Sequence, residues 1–164
     1  MLTDMIRPVL VSDAQAIADI YSYFVMHTTV SFETEAPDAE EMEHRIRSIS
    51  ASCPYLVAEE DGKVVGYCYV HPWKERAAYS HTYETTIYLS PTVCHKGIGT
   101  QLMQRLIEEC RTRGFHSLIA CITAENRASI LMHKKLGFHQ VSDFKEVGRK
   151  FGRWLDVVDM EFIL

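Results

Sequence analysis

Hydrophobic and polar positions along the chain change period several times, and each change marks an element. Met5–Leu10 reads as a first strand, and Ser12 and Asp13 offer caps to a helix carrying Ile17, Ile20, Tyr21 and Phe24 on one face. After a loop over Thr28–Glu35, Pro37 and Asp38 introduce a polar helix through about Ser50, with Met42, Arg45, Ile46 and Ile49 at helical spacing. Tyr55–Glu60 and Lys63–Val70 are apolar, β-branched runs on either side of Asp61-Gly62, a strong hairpin signal. His71–Tyr79, interrupted by Pro72, reads as a loop; Tyr83–Leu89 is another strand, ended by Pro91.

From Gly97 the period returns to helical: Ile98, Leu102, Leu106 and Cys110, with Met103 and Ile107 beside them, describe an amphipathic helix closing at Gly114. Leu118–Ile122 is a buried strand. Asn126 is a cap for Ala128–Leu136, Gly137 is its stop, and Trp154–Ile163 is a last strand. Phe138–Phe151 supplies one more strand and a loop. No repeat or linker interrupts the chain, so it reads as mixed α/β around one sheet.

Composition narrows the partners. With 47% hydrophobic and 24% charged residues over 164, the chain can bury one core. A net charge of -5 argues against a nucleic-acid partner, since polyphosphate binding needs a basic surface. The start MLTDMIRPVL lacks the features of a signal peptide and no apolar run is long enough to span a bilayer, so a cytoplasmic, membrane-free location is expected. Five cysteines without a C-x-x-C pair read as reduced thiols, and eight histidines without metal-ligand spacing lead us to expect no metal.

The most informative stretch is Thr86–Leu106, TIYLSPTVCHKGIGTQLMQRL: a strand, a short loop with Gly97-Ile98-Gly99, then a helix. The first amides of a helix have no intrahelical acceptor and the dipole adds positive charge, so a pyrophosphate can lie against them. Glycine lets the phosphate approach without a Cβ in the way. The order G-I-G-T-Q-L, placed centrally, is not the G-x-G-x-x-G after a first strand that marks a dinucleotide fold.

VCHKGIGTQLM followed by NRASILMHKKLGF resembles the GNAT superfamily of acyl-CoA-dependent N-acetyltransferases. YSYFVMHTTVSFETE, PYLVAEEDGKVVGYCYV, PWKERAAY and KFGRWLDV are similar to its phosphinothricin and methionine sulfoximine or sulfone branch. One departure is Cys94, where the superfamily commonly has Gln or Arg. The resemblance implies a single GNAT-like α/β domain over 1–164, with a mixed sheet of about six to seven strands flanked by about four helices. It also implies acetyl transfer from acetyl-CoA to the amine of a small amino-acid-like substrate, and a homodimer.

By the same resemblance, His95, Lys96, Gly97, Ile98, Gly99 and Thr100 form the pyrophosphate loop. Backbone groups of Ile87, Tyr88 and Leu89 pair with the pantetheine arm, which Asn126 also meets; a plain helix cap explains Asn126 equally well. Glu84 matches the general base, needed because an amine attacks only when neutral. His133 stands where the superfamily places an acid for the leaving thiolate. PWKERAAY is the substrate loop, with Lys74, Glu75 and Arg76; Thr85 and Thr86, with Phe32 and Glu33, complete the pocket. A peptide or protein acetyltransferase and a non-catalytic acyl-CoA sensor are the alternatives, the sensor needing neither Glu84 nor His133.

Overall fold

The computed structural model describes residues 5–93 and 97–164. In chain order its elements are β1 (Ile6–Pro8), α1 (Ala14–His27), α2 (Ala39–Ser50), β2 (Tyr55–Glu60), β3 (Lys63–Pro72), β4 (Thr82–Leu89), α3 (Ile98–Thr112), β5 (Ser117–Thr123), α4 (Arg127–Lys135), β6 (His139–Gln140), β7 (Phe144–Lys150) and β8 (Arg153–Ile163). The strands join in one sheet ordered β1-β2-β3-β4-β5-β8-β6, with β7 also paired to β8. The expected four helices are present, and the sheet has eight strands because Phe138–Phe151 holds two. Both pair with β8, which is long enough for β7 to use its first half and β6 its second. No helix among the described residues is long and apolar enough to cross a membrane.

Alternation along the inner strands sends side chains to two different cores. Tyr55 and Val57 of β2 and Tyr67 of β3 meet α1 and α2 through Ile17, Tyr21, Met42 and Ile46. Their neighbours Leu56, Ala58, Cys68 and Val70 meet α3 through Leu102, Met103 and Leu106. A sheet covered on both faces explains why β2 and β3 read as continuous apolar runs instead of an alternating pattern.

One consequence of this topology positions the site. β1 to β4 are antiparallel neighbours, whereas β4 and β5 run parallel. Their ladder extends only from Thr82↔Ser117 to Thr85↔Ala120. Beyond it, Thr86–Leu89 and Cys121–Thr123 have no registered pairs with each other, so the strands part toward their C-terminal ends, where α3 and α4 begin.

Candidate active site

A cavity of about 490 Å³ fills the parting between β4 and β5 and continues beneath α1 and α2. Its spine is a set of cross-strand pairs on one face of β3 and β4: Tyr67↔Tyr88, Tyr69↔Thr86 and His71↔Glu84. Glu84, Thr85, Thr86, Ile87 and Tyr88 all line it, from the β4 side. Cys121, Thr123, Asn126, Ser129 and His133 close it from β5 and α4. Thr85 faces the opposite way along the strand, where its hydroxyl donates to the Ile119 carbonyl at 3.5 Å.

Glu84 stands at the open end of this spine, half-buried. Burial raises its carboxyl above the usual glutamate range; the neighbouring His71 opposes that shift and Asp159 adds to it. His71 Nε2 lies 3.9 Å from Glu84 Oε2. A carboxylate tuned upward in a cavity is suited to take a proton from an ammonium near neutral pH.

His133 is 2% exposed, at the deep side of the cavity. Its Nδ1 lies 2.8 Å from the Ser129 carbonyl oxygen, which can only accept, so Nδ1 carries the hydrogen. Nε2 is therefore left with its lone pair, and it has no partner among the described residues. Burial lowers the imidazole pKa, while the bond to Ser129 raises it. The resting ring thus offers an acceptor, and an acid role for His133 requires the imidazolium, which burial disfavours. Asn126 caps α4, its side chain accepting from the Ser129 amide at 3.3 Å, and it lines the cavity as well.

Beneath α1 and α2 the wall is aromatic: Tyr21, Tyr55, Tyr67, Tyr69 and Tyr88. The Thr28–Glu35 loop lays Ser31, Phe32 and Glu33 against it. Tyr21 donates to Glu33, and Arg45 reaches the same carboxylate with both terminal nitrogens at 3.0 and 2.8 Å. Those bonds, Arg45's first, hold Glu33 below the usual carboxylate range. Arg45 Nε is also taken, by Glu41 at 2.8 Å. From β7, the buried Lys150 ammonium donates to the Ser31 carbonyl at 2.7 Å and fixes the loop from outside. Helical spacing puts Arg45 on the apolar stripe of α2, and no local pattern assigns it to the cavity. Its signal was the mismatch of one arginine among Met42, Ile46 and Ile49.

The expected anion site begins at Gly97, whose φ of 73° is the left-handed conformation that glycine adopts without strain. The first helical bond runs from the Gln101 amide to the Gly97 carbonyl, leaving the amides of Ile98, Gly99 and Thr100 outside the helical ladder. His95 and Lys96 lie outside the described residues. Gly99 has a packing role as well. A Cβ there would meet Leu89 Cδ1 at 3.2 Å and Met132 Sδ at 3.3 Å, so its missing side chain lets α3 pack closely on β4 and α4. Ile87 and Tyr88 line the cavity, while Leu89 packs under the helix start.

Lys74, Glu75 and Arg76 are exposed and do not line the cavity. β3 continues through His71 to Pro72, two residues further than expected, and carries the PWKERAAY loop past the strand end. Lys74 sits over the rings of Trp73 and Tyr79, 4.1 and 5.1 Å from their centroids. The loop nevertheless starts next to the pair His71↔Glu84, at the Glu84 end of the cavity. Among the described residues no group of His, Cys, Asp or Glu is placed to hold a metal ion.

The model of the acetyltransferase (GNAT) domain matches residues 6–158. The chain belongs to the GNAT acetyltransferase family. It is 40% identical to a phosphinothricin N-acetyltransferase of Alcaligenes faecalis over 95% of this chain and 80% of the relative. To an L-methionine sulfoximine/L-methionine sulfone acetyltransferase of Salmonella typhimurium it is 36% identical, over 93% of this chain and 90% of the other. Its fold superposes on YncA of Salmonella typhimurium, solved with its cofactor acetyl-CoA, with a TM-score of 0.95 at 36% identity, covering 97% of this chain and 92% of that one.

Proposed function

We propose that this chain is an acetyl-CoA-dependent N-acetyltransferase acting on the amine of small, amino-acid-like substrates such as methionine sulfone, methionine sulfoximine or phosphinothricin. The observation that carries this reading is the cavity itself. β4 backbone with no registered pairs toward β5 and the glycine-capped start of α3 lie at one end, the upward-shifted carboxylate of Glu84 stands at the other, and a tyrosine-lined wall runs beneath α1 and α2. A cavity of about 490 Å³ with an aromatic wall suits a small acceptor. Neither Glu84 nor His133 would be required of a protein that only senses acyl-CoA.

Acetyl-CoA, when bound, supplies an acetyl group activated as a thioester. The chain's part is to bind, orient and move protons. The amides of Ile98–Thr100 suit the pyrophosphate, and the free edge of Ile87–Leu89 suits an extended arm lying alongside it as an added strand would. Asn126 and the His133 Nε2 lone pair face the same space and offer hydrogen-bond acceptors. Glu84 takes a proton from the substrate ammonium, so that the neutral nitrogen can attack.

Since Arg45 is engaged by Glu33 and Glu41, a substrate carboxylate needs another cation, and Arg76, on the exposed loop that starts beside the His71↔Glu84 pair, is our candidate. A screen of amines with acetyl-CoA, following thiol release, tests both assignments. Methionine sulfone and its relatives should be turned over by the wild type. Arg76→Ala should raise their Michaelis constants roughly tenfold or more, the loss of one charge-assisted bond. Thiol release with no amine in the panel would remove the enzymatic reading, and an unchanged Michaelis constant would remove Arg76 alone.

A homodimer is the assembly we propose. Phe144, Val147, Phe151 and Trp154 are exposed on and around the β7–β8 hairpin, an apolar surface of the kind that marks association. Sedimentation equilibrium should give twice the 18.8 kDa chain mass; the chain mass alone would refute the dimer.

A further inference from the structure

Acetyl transfer from a thioester to an ammonium leaves one proton over. The nitrogen gives up two protons as its bond to the acetyl carbon forms and the carbon–sulfur bond breaks; the departing thiolate takes one, and the other must reach solvent. A base that is half-buried and pushed upward by burial needs somewhere to send it. His71 is placed for this. It is the cross-strand partner of Glu84, with Nε2 3.9 Å from Glu84 Oε2. Its Nδ1 lies 2.9 Å from the Pro72 carbonyl oxygen, which can only accept, so Nδ1 carries the hydrogen and the lone pair of Nε2 is turned to the carboxylate. More than a third of the His71 side chain is open to solvent.

We propose that His71 is the proton exit of this active site: its Nε2 accepts the proton that Glu84 has taken from the amine, and the resulting imidazolium releases it to water. The inference rests on the reading of Glu84 as base. The 3.9 Å separation exceeds a hydrogen bond, and closing it takes a movement of about 1 Å. Exposed side chains make such movements in nanoseconds, far faster than a typical turnover. The other groups facing the pair are Asp159 of β8, Cys121 of β5 and Tyr69 of β3. Asp159 raises Glu84 by its like charge. The Cys121 thiol is pushed up to about 12, chiefly by burial, and is no acceptor at neutral pH. Tyr69 is pushed up by burial as well.

His71→Gln tests this because it keeps polarity and loses the relay. Turnover should fall roughly tenfold, less than the typical loss of a general base itself, with the Michaelis constant for acetyl-CoA unchanged. Millimolar imidazole in the assay should restore part of the rate. The acidic limb of the pH profile should move to higher pH, because the cation that lowers Glu84 is gone. His71→Asn provides a second variant should the first be poorly folded. In the background of Glu84→Gln the substitution should add nothing, since His71 acts through Glu84. Full turnover in a folded His71→Gln protein would overturn the relay, as would a loss that imidazole does not restore and that leaves the limb in place. If Glu84→Gln alone kept wild-type turnover, the base assignment would be the part that failed.

Discussion

Glu84→Gln should lower turnover by roughly 100- to 10,000-fold while acetyl-CoA affinity stays at the wild-type level, the range typical for removal of a general base. The amide has the same shape and fits the same position opposite His71, so packing is preserved; what is lost is the ability to hold a proton. Glu84 lies near the start of β4, whereas the amides of Ile98–Thr100 lie beyond its far end, so cofactor affinity has no reason to change. The pH dependence follows from the sign of the shift. Burial raises the Glu84 carboxyl, and a base works only when deprotonated, so the wild-type rate should rise with pH through a value above the ordinary glutamate range. In the variant that limb should disappear, and the residual rate should follow the fraction of free amine. Stopped-flow thiol release across pH, with calorimetry for acetyl-CoA, measures both; wild-type turnover in a folded variant would leave Glu84 a structural residue.

How much of this site the sequence made legible depends on the distance over which each residue acts. The helices and most strands are written in local periodicity, as in the Asp61-Gly62 turn between β2 and β3, where both residues adopt positive φ. The glycine-capped start of α3 is likewise local. Glu84 and His133 were found through resemblance, and the structure explains their chemistry through partners that no local pattern reveals: His71 and Asp159 for one, the Ser129 carbonyl for the other. In the sequence His71 reads as loop because Pro72 follows it. Proline in an edge or terminal strand position costs only one donor, however, and β3 carries on to it. The pairing 67↔88, 69↔86, 71↔84 is a matter of register, fixed by two cores on opposite faces. Arg45 was hidden for a similar reason. Its carboxylate partner, Glu33, is twelve residues away on a loop whose path is set by Lys150, far along the chain.

The two glycines of the helix start should fail in different ways. At Gly99 the space for a side chain is taken by Leu89, Met132 and, at 3.9 Å, Ile87, so Gly99→Val must push α3 away from β4 or distort those side chains. Overpacking of this kind typically costs about 1–3 kcal/mol, so the variant's urea midpoint should drop in the absence of any ligand. Among the described residues Gly97 meets no such crowding, a Cβ there lying 3.8 Å from Gln101 Nε2, but its φ of 73° is strained for any residue with a Cβ. Gly97→Ala therefore costs about 1–2 kcal/mol if the cap keeps its shape. If the cap relaxes instead, the amides of Ile98–Thr100 turn away and the cost appears in binding. Unfolding with and without acetyl-CoA separates the two, because a ligand at a hundred times its dissociation constant adds about 2.7 kcal/mol to a protein that binds it normally. Gly97→Ala should lose part of that increment, whereas Gly99→Val should keep more of it while starting from a lower baseline. A Gly99→Val protein as stable as wild type but without the increment would show that this glycine clears the way for phosphate after all.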